Sequence, residues 1–205
     1  MKTKLLFNLN FLLFLTIITI SCNQKNEQKD VYVKNIFYKV YAGNDSLIGF
    51  ALREYKFSKD TITENFLTID IKGRETDKYK NTFFKRGKEI FVFSKMKNDN
   101  RKFLYFKPTV KDTCFYINRK MDSFYLCSKG KVNFKGYKNV FKLHYDERGY
   151  DTVPKIIILD EDYTILSIEY DSYLFPRKEI IVKDDEISND IKLKLQKASK
   201  EILWW

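Results

Sequence analysis

The stretch "DTCFYINRKMDSFYLCSKG", residues 112 to 130, decides how the rest of the chain is read. Two aromatic-rich runs, "CFYIN" and "SFYLC", flank the polar segment "RKMD" at 119 to 122. Aromatic and β-branched residues suit a pleated, half-buried surface, and a polar break between two such runs marks a hairpin. Closing that hairpin between Asn118 and Ser123 sets Ile117 opposite Phe124, Tyr116 opposite Tyr125, Phe115 opposite Leu126 and Cys114 opposite Cys127. Directly opposed residues of antiparallel strands bring their Cβ atoms within disulfide reach. A Cys114–Cys127 bond would stabilise the fold by roughly 3 kcal/mol through the loop it closes. Neither cysteine belongs to a C-x-x-C pair, a catalytic thiolate needs a nearby base, and structural zinc wants about four ligands. With one histidine in the chain, the structural disulfide is the reading.

Working outward, the same strand-and-turn grammar covers most of the chain. "VYVKNIFYKVY" (31 to 41) and "LIGFALREYKF" (47 to 57) lie on either side of the turn "AGNDS". "FLTIDIK" (66 to 72) alternates, with Leu67, Ile69 and Ile71 on one face and Thr68, Asp70 and Lys72 on the other. "EIFVFS" (89 to 94), "KFLYFK" (102 to 107), "YKNVFKLHY" (137 to 145), "VPKIIIL" (153 to 159) and "TILSIEY" (164 to 170) follow. In "YKNVFKLHY", Tyr137, Phe141, Leu143 and Tyr145 share a face with Asn139. Gly73, Gly87, Gly130, Gly136, Gly149 and "DED" at 160 to 162 mark turns. Short strands joined by turns predict an antiparallel sheet, curved or barrel-like. One helix is predicted, at about 186 to 203. Ile187, Ile191, Leu195, Ala198 and Ile202 recur on one helical face, with acidic residues at its start and lysines later. It is expected to lie on the sheet, a better account than an interfacial anchor built on the terminal "EILWW".

The N-terminus has a different grammar. Lys2 and Lys4 precede a mostly apolar run from Leu5 to Ile20, then Ser21 and Cys22, after which "NQKNEQKD" is wholly polar. At 16 residues the run is shorter than the roughly 20 a bilayer-spanning helix needs. A charged start, an apolar stretch and a small residue before a cut form the layout of a secretory signal. With Thr19, Ile20 and Ser21 leading into the cysteine, it resembles the lipobox of bacterial lipoprotein precursors. The resemblance covers residues 1 to 22 and implies cleavage before Cys22, acylation of Cys22 and a membrane held through that lipid. Residues 1 to 21 are then a signal peptide, 22 to 30 a lipidated cysteine with a solvated tether, and 31 to 205 a single β-rich domain. The expected address is the cell envelope, facing periplasm or exterior. That compartment is oxidising, which suits the proposed disulfide.

Charge is uneven. Residues 72 to 138 carry 19 basic and 6 acidic side chains, against 10 and 14 in residues 139 to 205. An anionic surface is one partner class this suits; packing of the basic middle beside the acidic third is the plainer explanation. Lysine-interleaved aromatics such as "RKFLYFK" superficially suit single-stranded nucleic acid, but they also describe an ordinary half-buried strand, so no nucleic acid is expected. The 18 Phe and 14 Tyr admit an apolar or lipid ligand carried in a barrel or half-barrel cavity, or simply a core built from rings.

No catalytic constellation stands out. His144, the single histidine, has Asp146 and Glu147 nearby, and on a strand Asp146 shares its face. Asp160, Glu161 and Asp162 lack the spacing of a calcium loop and read as an acidic turn. No phosphate-binding glycine loop or nucleophile elbow is present. The expectation is a membrane-anchored lipoprotein acting as a non-catalytic binding or structural module. It names no catalytic residue, cofactor or metal, and the pattern sets no oligomeric state. A carrier of an apolar ligand is the alternative, and a hydrolase the further one.

Overall fold

The computed structural model describes residues 31–93, 102–118, 123–148, 153–172 and 176–200. Cys22, its flanking segments and Ile202 lie outside the described residues. Twelve strands form one antiparallel sheet: β1 Tyr32–Ala42, β2 Leu47–Phe57, β3 Thr61–Asp70, β4 Glu75–Arg86, β5 Glu89–Phe93 and β6 Lys102–Phe106, then β7 Asp112–Asn118, β8 Ser123–Phe134, β9 Tyr137–Arg148, β10 Lys155–Leu159, β11 Ile165–Tyr170 and β12 Arg177–Ile181. The spatial order is β6-β5-β4-β3-β2-β1-β12-β11-β10-β9-β8-β7. The sheet is therefore two up-and-down meanders joined where β1 pairs with β12, Tyr38 opposite Ile181 and Ala42 opposite Arg177. The result is a nearly closed barrel whose two edge strands, β6 and β7, are also neighbours in sequence.

The seam between those edges is sealed from inside and from one end. The Tyr145 hydroxyl on β9 donates to the Tyr105 carbonyl on β6. Between the edge strands, the Thr109 amide donates to the Ser128 hydroxyl of β8 at 2.9 Å. Gly130 permits this close approach: its φ is +74°, and an added Cβ would sit 3.0 Å from the Val110 carbonyl oxygen. Gly130 therefore lies within β8, at a register shift between Ser128 and Lys131, rather than in a turn as its sequence context suggests.

Alternation along β1 to β3 builds two apolar layers. Ile36, Tyr38 and Val40, Ala51, Tyr55 and Phe57, and Ile62 and Phe66 point into the barrel. Phe37, Phe50, Leu52, Leu67 and Ile69 point outward, where a C-terminal helix covers them. This helix, α1, spans Asn189–Lys200. The Ser188 hydroxyl accepts from the Ile191 amide at 3.4 Å, and Asp184–Glu186 form a separate 3-10 turn. The helix thus starts three residues later than its periodicity suggests, because Ser188 satisfies an amide that Ile187, though buried, cannot. Among the described residues, both cores are built within 31–200.

The hairpin holds in the register read from sequence, with every pair from Ile117–Phe124 to Cys114–Cys127 directly opposed. The disulfide is formed, its Cα atoms 4.0 Å apart. On β9 the expected face is broken: Leu143 and Tyr145 enter the core, but Asn139 adopts a φ of +58° and Tyr137 is exposed. Two strands, β4 and β12, occupy segments where the sequence placed none.

Candidate functional site

Polar chemistry concentrates inside the barrel, at residues the sequence reading did not single out. Arg53 on β2 follows Ala51 and precedes Tyr55 and Phe57 at two-residue spacing, so the pleat aims it inward. Glu64 on β3 lies between Ile62 and Phe66 for the same reason, and Glu179 on β12 faces inward beside Val40. The three side chains meet: Arg53 Nη1 donates to Glu64 Oε1 at 2.5 Å, and Nη2 to Glu179 Oε2 at 2.6 Å. Their side chains are only 1–2% exposed. Nη1 also donates to the Tyr79 hydroxyl at 3.1 Å, and the Asn81 amide donates to the other Glu64 oxygen at 3.1 Å. Arg177 approaches Glu179 Oε1 at 3.0 Å from the barrel's end. The guanidinium carbon of Arg53 stands 4.2 Å from the Phe66 ring centroid.

Burial opposes the charge on Arg53, but the Tyr79 oxygen and the Glu64 and Glu179 carboxylates outweigh it and hold the guanidinium's pKa above its ordinary value. Around it, burial pushes the phenols of Tyr38, Tyr55 and Tyr79 far up, and that of Tyr170 up to about 12. Tyr38 donates to the Ile165 carbonyl at 2.6 Å, tying β1 to β11 across the interior. In this arrangement each charge is neutralised by its neighbours, and both carboxylates are bridged by one cation. A carboxylate pair serving hydrolysis needs space for sugar and water between its members; here Arg53 occupies that space.

The surrounding rings also close on one another. Phe66 stacks on Tyr79 at 4.6 Å, Phe83 on Tyr105 at 5.1 Å, and Tyr105 meets Tyr145 at 5.7 Å. Most interior side chains are buried, with Tyr79, Tyr105, Tyr170 and Ile181 partly so. The aromatic richness is thus used as core, and a carrier of apolar cargo would need this interior to open.

The residues weighed in the sequence fall elsewhere. Cys114 and Cys127 lie on the outer face of the β7–β8 edge, beside exposed Tyr116 and Tyr125. His144 is half-buried on that outer face, opposite Cys127 and Ile156, and makes no hydrogen bond among the described residues. Asp160 ties its own turn, its Oδ1 accepting from the Asp162 and Thr164 amides at 3.0 and 2.8 Å, while Glu161 pairs with Lys131 at 2.9 Å. Among the described residues no group of three His, Cys, Asp or Glu could hold a metal ion. A shallow cleft of about 210 Å3 opens beside that turn, with Lys34, Asp160, Thr164 and Tyr137 among its lining. Lys34 there donates to Thr164 at 2.8 Å and stands 3.6 Å from Asp160, so its charge is already answered. Among the described residues no helix is long and apolar enough to cross a membrane.

Comparison with protein-family models, with curated proteins and with solved structures finds no match to this chain.

Proposed function

We propose that the chain is a lipid-anchored protein of the cell envelope, held to a membrane through acyl groups on Cys22, whose barrel is a non-catalytic binding or structural module. The observation that carries the second half is the Arg53–Glu64–Glu179 bridge: the barrel's polar centre is buried and neutralised from within. Such a centre fixes how strands β2, β3 and β12 sit and leaves partner binding to the outer surface. Support for the first half is the layout of residues 1 to 22, together with a disulfide on an exposed edge, which an oxidising compartment maintains.

Intact mass of the mature protein from bacterial membranes, without reduction, tests the reading. Cleavage before Cys22, an added acyl mass and a deficit of two hydrogens are expected. A full-length, unacylated chain would overturn the anchor and, with it, the address.

A further inference from the structure

Directly opposed residues of neighbouring strands form a row across a sheet, all on one face. One such row on the outer face runs through Cys114 of β7, Cys127 of β8, His144 of β9 and Ile156 of β10. Cys114 is exposed, while Cys127 and His144 are half-buried. The chain's single histidine thus stands beside one sulfur of its disulfide. Cβ atoms of such a pair lie about 5 Å apart, close enough for an imidazole to reach the neighbouring sulfur. No local motif announces this pairing, because the β8–β9 hairpin makes it.

The surroundings leave the bond open to attack. β7 is an edge strand, hydrogen-bonded to β8 alone. A thiolate arriving from its free side comes along the row, in line with the bond it would break. Tyr116 and Tyr125, both exposed, flank the bond on one side, and on the other Lys129 is held by Asp112 at 3.1 Å. Around His144, β10 presents Ile156 and Ile158, Lys142 and Asp146 flank it on β9, and Tyr125 and Lys129 stand diagonal to it on β8. His144 is the ionisable group directly opposite the disulfide.

From this we infer that Cys114–Cys127 is a thiol–disulfide exchange site for cysteinyl thiols, with Cys114 the sulfur attacked and His144 the proton donor to the departing Cys127. A substrate thiolate bonds to Cys114 Sγ, the Cys114–Cys127 bond breaks, and its electron pair passes to Cys127 Sγ, which takes the imidazolium proton of His144. A second substrate thiolate then attacks the substrate sulfur of the mixed disulfide, and Cys114 leaves as a thiolate that water protonates. The substrate departs as a disulfide, and its two electrons stay on Cys114 and Cys127. Two features select the same sulfur. Exchange favours attack where access is better and departure of the more acidic thiol; Cys114 is the exposed cysteine, and a thiol beside an imidazolium is the more acidic. One event spends the bond, so the site is a stoichiometric electron acceptor on the module's surface and not a turnover enzyme. It stands independently of the anchor at Cys22.

The test uses the full chain carrying Cys22→Ser, so that Cys114 and Cys127 are the only cysteines. The unreduced protein is mixed with reduced glutathione, quenched in acid and mapped by peptide mass. Glutathione is expected on Cys114, with Cys127 a free thiol. Intact mass over time gives the rate at which the bond opens. An imidazolium that lowers a thiol pKa from about 8.5 to about 7 speeds its departure about fivefold, taking the roughly 0.45 Brønsted coefficient of attacking thiols. His144→Gln should therefore slow opening about fivefold at pH 6 and leave it unchanged at pH 9, where imidazole is neutral. A histidine that only packed would alter both rates alike. Unfolding midpoints verify that the variant folds, and the mapping, made on the parent, decides the site whatever the variant does. Glutathione on Cys127 or equally on both sulfurs, a bond that glutathione opens only in denaturant, or the same rate ratio at both pH values would each overturn the inference.

Discussion

Replacing Arg53 by methionine is the most direct perturbation of the barrel's centre. The guanidinium bridges Glu64 at 2.5 Å and Glu179 at 2.6 Å, and both carboxylates are 1–2% exposed. Methionine preserves much of the volume over the Phe66 ring but leaves two buried carboxylates without their shared cation. Breaking a buried pair in this way costs about 3–5 kcal/mol. That is a large share of the roughly 5–15 kcal/mol by which domains are stable. Replacing all three groups, as Arg53→Met, Glu64→Leu and Glu179→Leu, removes the stranded charges together. The triple variant should recover most of the loss, because apolar replacements of buried ion pairs are often neutral or stabilising. Arg177, released from Glu179, is 27% exposed and can turn toward water. The assay is urea unfolding of the soluble, unreduced domain at neutral pH, followed by circular dichroism and tyrosine fluorescence. A loss under about 1 kcal/mol for Arg53→Met would mean that the carboxylates find water or another cation, and that the bridge does not organise the centre. A triple variant as unstable as the single would assign the cost to lost packing on Phe66 and refute the electrostatic account.

Alkali offers a second test. Tyr38, Tyr55, Tyr79 and Tyr170 have pKa values raised in the fold, chiefly by burial, so they keep protons that the unfolded chain releases near pH 10. Their contribution is full below about pH 10 and is lost as pH rises, by up to about 5 kcal/mol per pH unit for the four together. Tyrosinate absorbance should show these phenols ionising only with unfolding; titration of all 14 tyrosines before any loss of structure would contradict their burial. Reducing Cys114–Cys127 should lower stability by roughly 3 kcal/mol in the same urea assay, and full labelling of both thiols in unreduced protein would disprove the bond. Leu195→Ala should cost about 2–5 kcal/mol, since this fully buried side chain holds α1 on β2 and β3; a negligible change would mean the helix is not seated there. Gly49→Ala should also destabilise, by about 1–3 kcal/mol, because an added Cβ would overlap the Ile69 carbonyl oxygen on the paired strand. An unchanged midpoint for Gly49→Ala would place the strands further apart.

The parts of the fold that were legible in sequence are those where one physical signal dominates. Strand β2 matches "LIGFALREYKF" at both boundaries, and the cysteine hairpin matches residue for residue, because turn position and alternation agree there. Strand β4 was missed because Glu75, Lys78, Lys80 and Thr82 face solvent, so only Tyr79, Asn81 and Phe83 mark its inner side. Strand β12 was missed because "RKEII" is short and charged, yet it joins the two meanders. The same bias hid the central bridge. Arg53 and Glu64 are in phase with inward-facing apolar neighbours, and that alternation is a signal the sequence does contain. What it lacks is the pairing: Glu179 lies 126 residues beyond Arg53, and only closure through β1 and β12 brings them together.

Closure also explains why the turns are free to carry charge. The long outer face of β1 to β3 is apolar and lies beneath α1, and the inner face is filled with rings around a neutralised centre. Turn residues answer to neither core, so their charges can vary without disturbing the barrel. Lysines at Lys88 and Lys135 meet no packing demand, and their turns form around Gly87 and Gly136, both at positive φ. Topology alone then decides that these cations project from the end at which the chain enters. Which turn charges share an end depends on strand count and direction, and no local sequence motif announces it.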